Sequence, residues 1–130
     1  MKSILKDEKG QNIVEFALVV PMLLLLVFGI AEFGRAWMTR NILTGAAREA
    51  VRIAVVPAGT IGTATARANQ VLASAGITTA TVSLNDDGIS FGTITATVSY
   101  NFPVVVVGFI PGLNSSTIPL TSTTTMRKEF

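Results

Sequence analysis

The hydrophobic pattern of this chain begins with one long apolar block between charged boundaries. Sixteen residues, Phe16 to Ala31, carry no charge, and the block is bounded by Glu15 and Glu32. As a helix it rises about 24 Å, against about 30 Å for the hydrocarbon core of a bilayer. With the flanking apolar residues placed at the two interfaces, the pattern predicts a short transmembrane helix over about 14–33.

The helical spacing continues beyond this block as an amphipathic pattern. Apolar and small residues return to one side at Ile30, Phe33, Trp37, Leu43, Ala47, Ala50, Val51 and Ala54. The arginines fall mostly on other faces, and Pro57 is a plausible stop. The pattern therefore predicts one long helix from about Ile13 to Val56, membrane-embedded first and amphipathic afterwards.

The period changes in the second half of the chain, where Thr, Val and Ile alternate with polar residues. Alternation of this kind predicts strands. The predicted elements are a second helix over Thr63–Ser74 capped by Gly76, strands over Ala80–Asn85, Thr93–Tyr100 and Ile118–Lys128, and an apolar connection over Phe102–Leu113. The predicted fold class is α+β, with a small antiparallel three-stranded sheet in a head (57–130) that packs on the long helix.

Charge and composition exclude several kinds of function. Ten basic and eight acidic residues give a net charge of +2, and the basic residues are scattered, so no nucleic-acid surface is expected. The chain has no Cys and no His, which excludes disulfides, thiolate metal sites and Cys or Ser-His nucleophiles. Asp86-Asp87-Gly88 offers too few oxygens for calcium and suits a hairpin turn. We expect no enzyme, no cofactor and no metal site.

The most specific motif lies just before the apolar block. A short charged start ends at Gly10, and five residues later the lone carboxylate of Glu15 precedes Phe16 at the mouth of the apolar helix. This arrangement resembles the processing site of type IV-like prepilins, and the Glu-Phe pair resembles the tight-adherence (Tad) branch. The resemblance implies a leader over 1–10, removed by a prepilin peptidase between Gly10 and Gln11 on the cytoplasmic side.

The resemblance extends along the helix. The stretches 15–37 and 43–54 look like the N-terminal motif of TadE-like proteins, and 125–129 looks like that family's closing strand. Many relatives have a glycine where this chain has Ala50. The family implies a pilin-like fold and a pseudopilin or minor-pilin role in building the Tad pilus and in adherence. It also implies other pilin subunits as partners and an inner-membrane location with the head outside, before assembly into an extracellular pilus.

A physical reason for Glu15 can be given from the residues. A carboxylate that enters hydrocarbon costs roughly 2.5–3.5 kcal/mol unless it is paired. Cleavage after Gly10 would create an α-amino group at Gln11, and in a filament that group on one subunit can pair with Glu15 of the next. The pairing would offset the burial cost and set axial register. The alternative is that Glu15 reaches the lipid headgroups and that Gly10 only ends a flexible start.

Three further features of the helix have two interpretations each. Pro21 lacks a backbone N–H and predicts a kink, although transmembrane helices also tolerate proline. Trp37 suits either an interfacial anchor or core packing. The small residues Ala46, Ala50 and Ala54 permit a close backbone approach, by the chain's own sheet in the favoured interpretation or by a neighbouring subunit.

The charged residues of this region also have two interpretations. Glu49 and Arg52 are spaced for a surface ion pair at i, i+3. With Arg48, they are candidates for intersubunit ion pairs as the alternative.

Two other readings of the whole chain are open. A secretory signal peptide cut between Ala31 and Glu32 would release a β-rich domain. A single-span anchor would keep its first ten residues and hold a binding module outside a filament. The N-terminus of the mature protein separates these readings.

Overall fold

Helix α1 dominates the computed structural model, which describes residues 8–106 and 116–129. It spans Glu8–Ala54, 47 residues or about 70 Å. The helix is described from Glu8, five residues before the predicted start at Ile13, so residues 8–10 of the predicted leader are helical. One glycine weakens a helix by about 1 kcal/mol and does not end it. The helix ends two residues before the predicted Val56, since a residue preceding proline is disfavoured in helical conformation.

Helix α2 spans Ile61–Ser74 and is defined by its caps. Thr60 and Thr63 form a capping box, in which each side chain accepts a hydrogen bond from the other residue's backbone N–H. At the other end Gly76 has φ +76, and the Gly76 and Ile77 N–H groups donate to Ala73 and Leu72. This is a Schellman motif, and the predicted Gly76 cap is confirmed.

The sheet has three antiparallel strands in the order β1-β2-β3. They are β1 Thr81–Asp86, β2 Thr93–Pro103 and β3 Thr117–Arg127. The predicted strands are confirmed to within one residue at most ends, but β2 continues to Pro103, three residues further than predicted. The predicted connection Phe102–Leu113 lies partly in 107–115, outside the described residues; its first residue, Phe102, is buried.

One core joins the sheet to the second half of α1 and to α2. Alternate β2 residues Ile94, Ala96 and Val98 point inwards and pack in one buried cluster with residues such as Leu43 and Leu72. The opposite face of the sheet carries Thr and Ser pairs that bond across β2 and β3. The α+β prediction is therefore confirmed: a long N-terminal helix, a short second helix and a three-stranded antiparallel sheet.

The β2–β3 hairpin runs along α1 in a defined direction. Near the C-terminal end of α1, the Glu129 N–H donates to the Val55 carbonyl at 3.0 Å. Midway, the Thr44 and Ser122 hydroxyls lie 2.8 Å apart. At the far end, the Val105 N–H donates to the Glu32 carboxylate at 3.3 Å. The described part of the head therefore covers α1 from Val55 down to Glu32 and leaves the preceding part of the helix uncovered.

Candidate functional site

The uncovered part of α1 carries its apolar residues on all sides. Leu23, Leu24, Leu25 and Leu26 are consecutive, so they point in different directions around the helix, and each is 46–62% exposed. Helix α1 is long and apolar enough to cross a membrane. Pro21 lies inside this segment, and the helix passes through it without interruption. Such a surface needs a bilayer or neighbouring chains to cover it.

Glu15 lies near the N-terminal end of this segment. At spacings of three, four and seven residues, Asn12, Glu15, Phe16 and Val19 share one face of α1. All four are exposed, and Phe16 is 70% exposed. Within residues 8–106 and 116–129, no side chain pairs with the Glu15 carboxylate. The acid is therefore open to a group on another molecule.

Comparison with known protein families finds a match to most of this helix. The family model described as TadE-like protein matches residues 10–52, from the predicted cleavage site to the last turn of α1. The resemblance to the TadE-like family is confirmed. The matched range is called the TadE-like segment below. The likeness of 125–129 to the family's closing strand lies outside this range. No curated protein and no solved structure matches the chain.

The small residues of the TadE-like segment face the chain's own head. Ala46 and Ala50 are fully buried, and Ala54 is 3% exposed. All three belong to the core cluster that includes Ala64 and Ala68 of α2. Their short side chains let α2 and the sheet approach the α1 backbone. The favoured interpretation, packing within the chain, is the one that this geometry supports.

The charged turn that follows is paired mainly within the chain. The Glu49 carboxylate accepts from Arg52 at 3.0 Å and from Arg67 of α2 at 3.2 Å. These hydrogen bonds, first from Arg52 and then from Arg67, lower the pKa of Glu49. Arg48 is exposed and makes no ion pair with any described residue. Of the three residues predicted as possible intersubunit partners, Arg48 is the one left open to another molecule.

An ion cluster that was not predicted from the sequence lies at the end of the head furthest from Glu15. Lys128, whose side chain is 5% exposed, donates to Asp86 at 2.6 Å and lies 3.4 Å from Asp87. Asp87 also accepts from the Thr93 N–H at 2.6 Å and the Ile89 N–H at 3.1 Å. These backbone bonds lower the pKa of Asp87 to about 2. The carboxylates of the acidic turn therefore pair with Lys128 and accept hydrogen bonds from nearby backbone N–H groups.

No local sequence pattern predicts this cluster, because Lys128 is 42 positions from Asp86 and 41 positions from Asp87 in the sequence. The only available signal was the end of the third strand pairing with the start of the second. That register places Arg127 opposite Thr93, so Lys128 falls beside the turn that precedes β2.

The boundary between the uncovered helix and the head is marked by aromatic and charged side chains. Phe33 and Trp37 stack with ring centroids 6.2 Å apart and are 69% and 57% exposed. Core packing of Trp37 within the described chain is therefore wrong, and its exposure suits an interfacial anchor. Glu32 is paired with Arg35 at 2.7 Å, and the Arg35 guanidinium lies 5.0 Å from the centre of the Phe102 ring.

Proposed function

We propose that this chain is a pilin-like subunit, a pseudopilin or minor pilin, of a Tad-type pilus that contributes to surface adherence. The uncovered apolar part of α1 carries the proposal: it needs an environment that the chain itself does not supply. A bilayer supplies it before assembly, and the helices of other subunits supply it afterwards. We propose no catalytic role, cofactor or metal for this chain.

Processing is the first step of the proposed role. A prepilin peptidase cuts between Gly10 and Gln11 on the cytoplasmic side of the inner membrane, and the head lies outside. This bond precedes the uncharged block that begins at Phe16, so it lies on the side of the span opposite the head. The helix also continues without a break across Ala31 and Glu32, where a signal peptidase would have to cut, and this favours processing at Gly10.

Assembly is the second step, and it depends on Glu15. The new α-amino group of Gln11 on one subunit pairs with the Glu15 carboxylate of the next. An unpaired carboxylate among apolar helices is costly, and an ion pair with good geometry offsets that cost. Subunits that are displaced axially lose this pair, so the pair sets their register. Phe16 lies beside Glu15 and adds apolar contact at the same point.

The substitution Glu15→Gln tests this proposal, because it keeps the side-chain shape and removes the charge. In a Tad-piliated strain lacking the native copy, we expect normal membrane levels, normal cleavage and a several-fold loss of the chain from sheared surface fibres. Glu49→Gln is the matched control: it removes a charge from the same helix at a site paired within the chain, and fibre content should stay normal. Wild-type incorporation of Glu15→Gln would refute the assembly role of Glu15.

A further inference from the structure

We propose that the head has its own contact with the bilayer, made by the tip of the β2–β3 hairpin. The word tip is used here for the described residues on either side of 107–115, namely Val104, Val105 and Ile118. Its partner is the interfacial layer of the membrane that α1 spans. The proposal rests on the membrane insertion in the proposed function. It adds a second point of attachment, so that the head lies against the membrane surface instead of standing clear of it.

The depth of the tip follows from its attachment to α1. Glu32 ends the uncharged stretch of the helix, so it marks the upper interface when that stretch spans the hydrocarbon. The Val105 N–H donates to the Glu32 carboxylate at 3.3 Å. This bond holds the tip at the depth of Glu32, below the Thr44–Ser122 and Val55–Glu129 contacts of the head. Phe33 and Trp37 lie one and five residues beyond Glu32 on α1, and aromatic side chains favour the headgroup region.

The surface at this level is apolar apart from the Glu32 carboxylate, which lines the same groove. A groove of about 300 Å³ runs between Gly29, Phe33 and Ala36 of α1 and Phe102, Val104 and Ile118 of the hairpin. Val105 is 53% exposed and Ile118 is 49% exposed. In the sequence, no charged residue occurs from Gly88 to Met126. The hairpin therefore brings no charge of its own towards the hydrocarbon.

Two backbone N–H groups of the tip and the Glu32 carboxylate beside them are paired within the chain. Backbone N–H groups that enter lipid must be satisfied within the protein. The Val104 N–H donates to the Ser116 carbonyl at 3.0 Å, and the Val105 N–H donates to Glu32. The Glu32 carboxylate also accepts from Arg35, and the Glu32 side chain is 14% exposed. The apolar surface is continuous with the spanning helix, which favours lipid as its occupant over a separate soluble partner.

The opposite end of the head provides an internal comparison. Ile89 and Phe91 are as exposed as the tip, at 64% and 59%. They lie in the turn before β2, near Lys128, and Lys128 is followed by the Glu129 contact to Val55. Val55 directly follows the end of α1 and is 23 residues beyond Glu32, about 35 Å along the helix axis. An apolar side chain there is far from the bilayer, which makes Phe91 a matched control for Val105.

The absence of cysteine from the sequence allows single spin labels to be placed in the full-length protein. Labels at Val105, Ile118, Phe91 and Leu24 would be compared in vesicles of phosphatidylethanolamine and phosphatidylglycerol. Collisions with oxygen, which concentrates in lipid, are measured against collisions with a water-soluble nickel chelate. We expect the oxygen-to-nickel ratio at Val105 and Ile118 to exceed that at Phe91 several-fold and to approach the ratio at Leu24 in the span.

Each outcome decides a separate claim. If Val105 and Ile118 resemble Phe91 while Leu24 reports lipid, the tip contact is wrong and membrane insertion stands. If Leu24 also reports water, insertion itself fails, and this inference fails with it. If the tip labels are shielded from both reagents, a protein surface such as a second copy covers the tip, and the lipid proposal is overturned.

Discussion

Replacing Ala50 by leucine tests whether the small residues of α1 serve the chain's own head or a neighbouring subunit. The Ala50 side chain is fully buried, between Ala46 and Ala54 along the same face of the helix. Leucine at this position adds three carbon atoms to a side chain that is fully buried. Overpacking of this kind costs about 1–3 kcal/mol. For a domain of this size, each kcal/mol lowers the melting temperature by about 4–8 °C.

The assay is thermal unfolding of the full chain, monitored by circular dichroism. The chain is kept in a mild detergent that separates the subunits from one another. Gly45→Ala is the matched control, five positions earlier on α1. Gly45 is exposed, and an added methyl group meets nothing within 4 Å. Removing a helical glycine should stabilise the head by about 0.5–1 kcal/mol. The pair of variants should therefore shift the melting temperature in opposite directions.

A different result would show that the small residues of α1 contact a neighbouring subunit. If Ala50→Leu left the melting temperature of the separated chain unchanged and only prevented incorporation into fibres, the alanines would serve an intersubunit contact. Burial against the chain's own α2 and sheet would then be the wrong explanation for their size.

Three further predictions concern the head. Hydrogen bonds to the charged form of Asp87 lower its pKa from 3.8 to about 2. The stability that Asp87 contributes is therefore present above pH 3.8 and is lost as the pH falls towards 2. In Asp87→Asn, the melting temperature should fall less between pH 3.8 and pH 2 than it does in the wild type. Thr60→Ala removes the N-cap of α2 and should cost about 0.5–2 kcal/mol in urea unfolding, with Thr60→Ser restoring most of it. Gly59→Ala should destabilise the head, because the new methyl group would overlap the Ile53 carbonyl, whereas Gly62→Ala in α2 meets only a distant hydroxyl and should be neutral or stabilising in the same melts.

Much of this architecture could be predicted from local patterns. The uncharged block and the helical spacing up to Ala54 come from residues that are neighbours on one helix. Alternation in Thr93–Tyr100 reports one buried and one exposed face of a strand, and the structure shows that alternation along β2. Gly76 ends α2 because it adopts a positive φ that other residues avoid.

The features that sequence patterns missed depend on contacts between distant positions. Lys128 meets Asp86 only because β3 pairs with β2 in one register. Gly59 is required by the approach of the loop to the Ile53 carbonyl, which no local motif encodes. The bond between Val105 and Glu32 depends on β2 continuing past its predicted end. In each case the tertiary fold brings the partners together.

The residues of the candidate site also fall into those that could be predicted from the sequence and those that required the fold. The Gly10, Glu15 and Phe16 motif is contiguous and could be recognised directly, and the family match over residues 10–52 covers it. The roles of Ala50 and Glu49 could not be decided between the head and a partner until the head was placed against the helix. Its placement assigns Ala50 to the core and joins Glu49 to Arg67 of α2.

The most direct test of the account is the intact mass and N-terminal sequence of this chain recovered from sheared surface fibres. The account predicts a chain that begins at Gln11, with the free amino group that neutralises Glu15 of the adjoining subunit. A chain in the fibres that still begins at Met1, or a secreted chain that begins at Glu32, would contradict it.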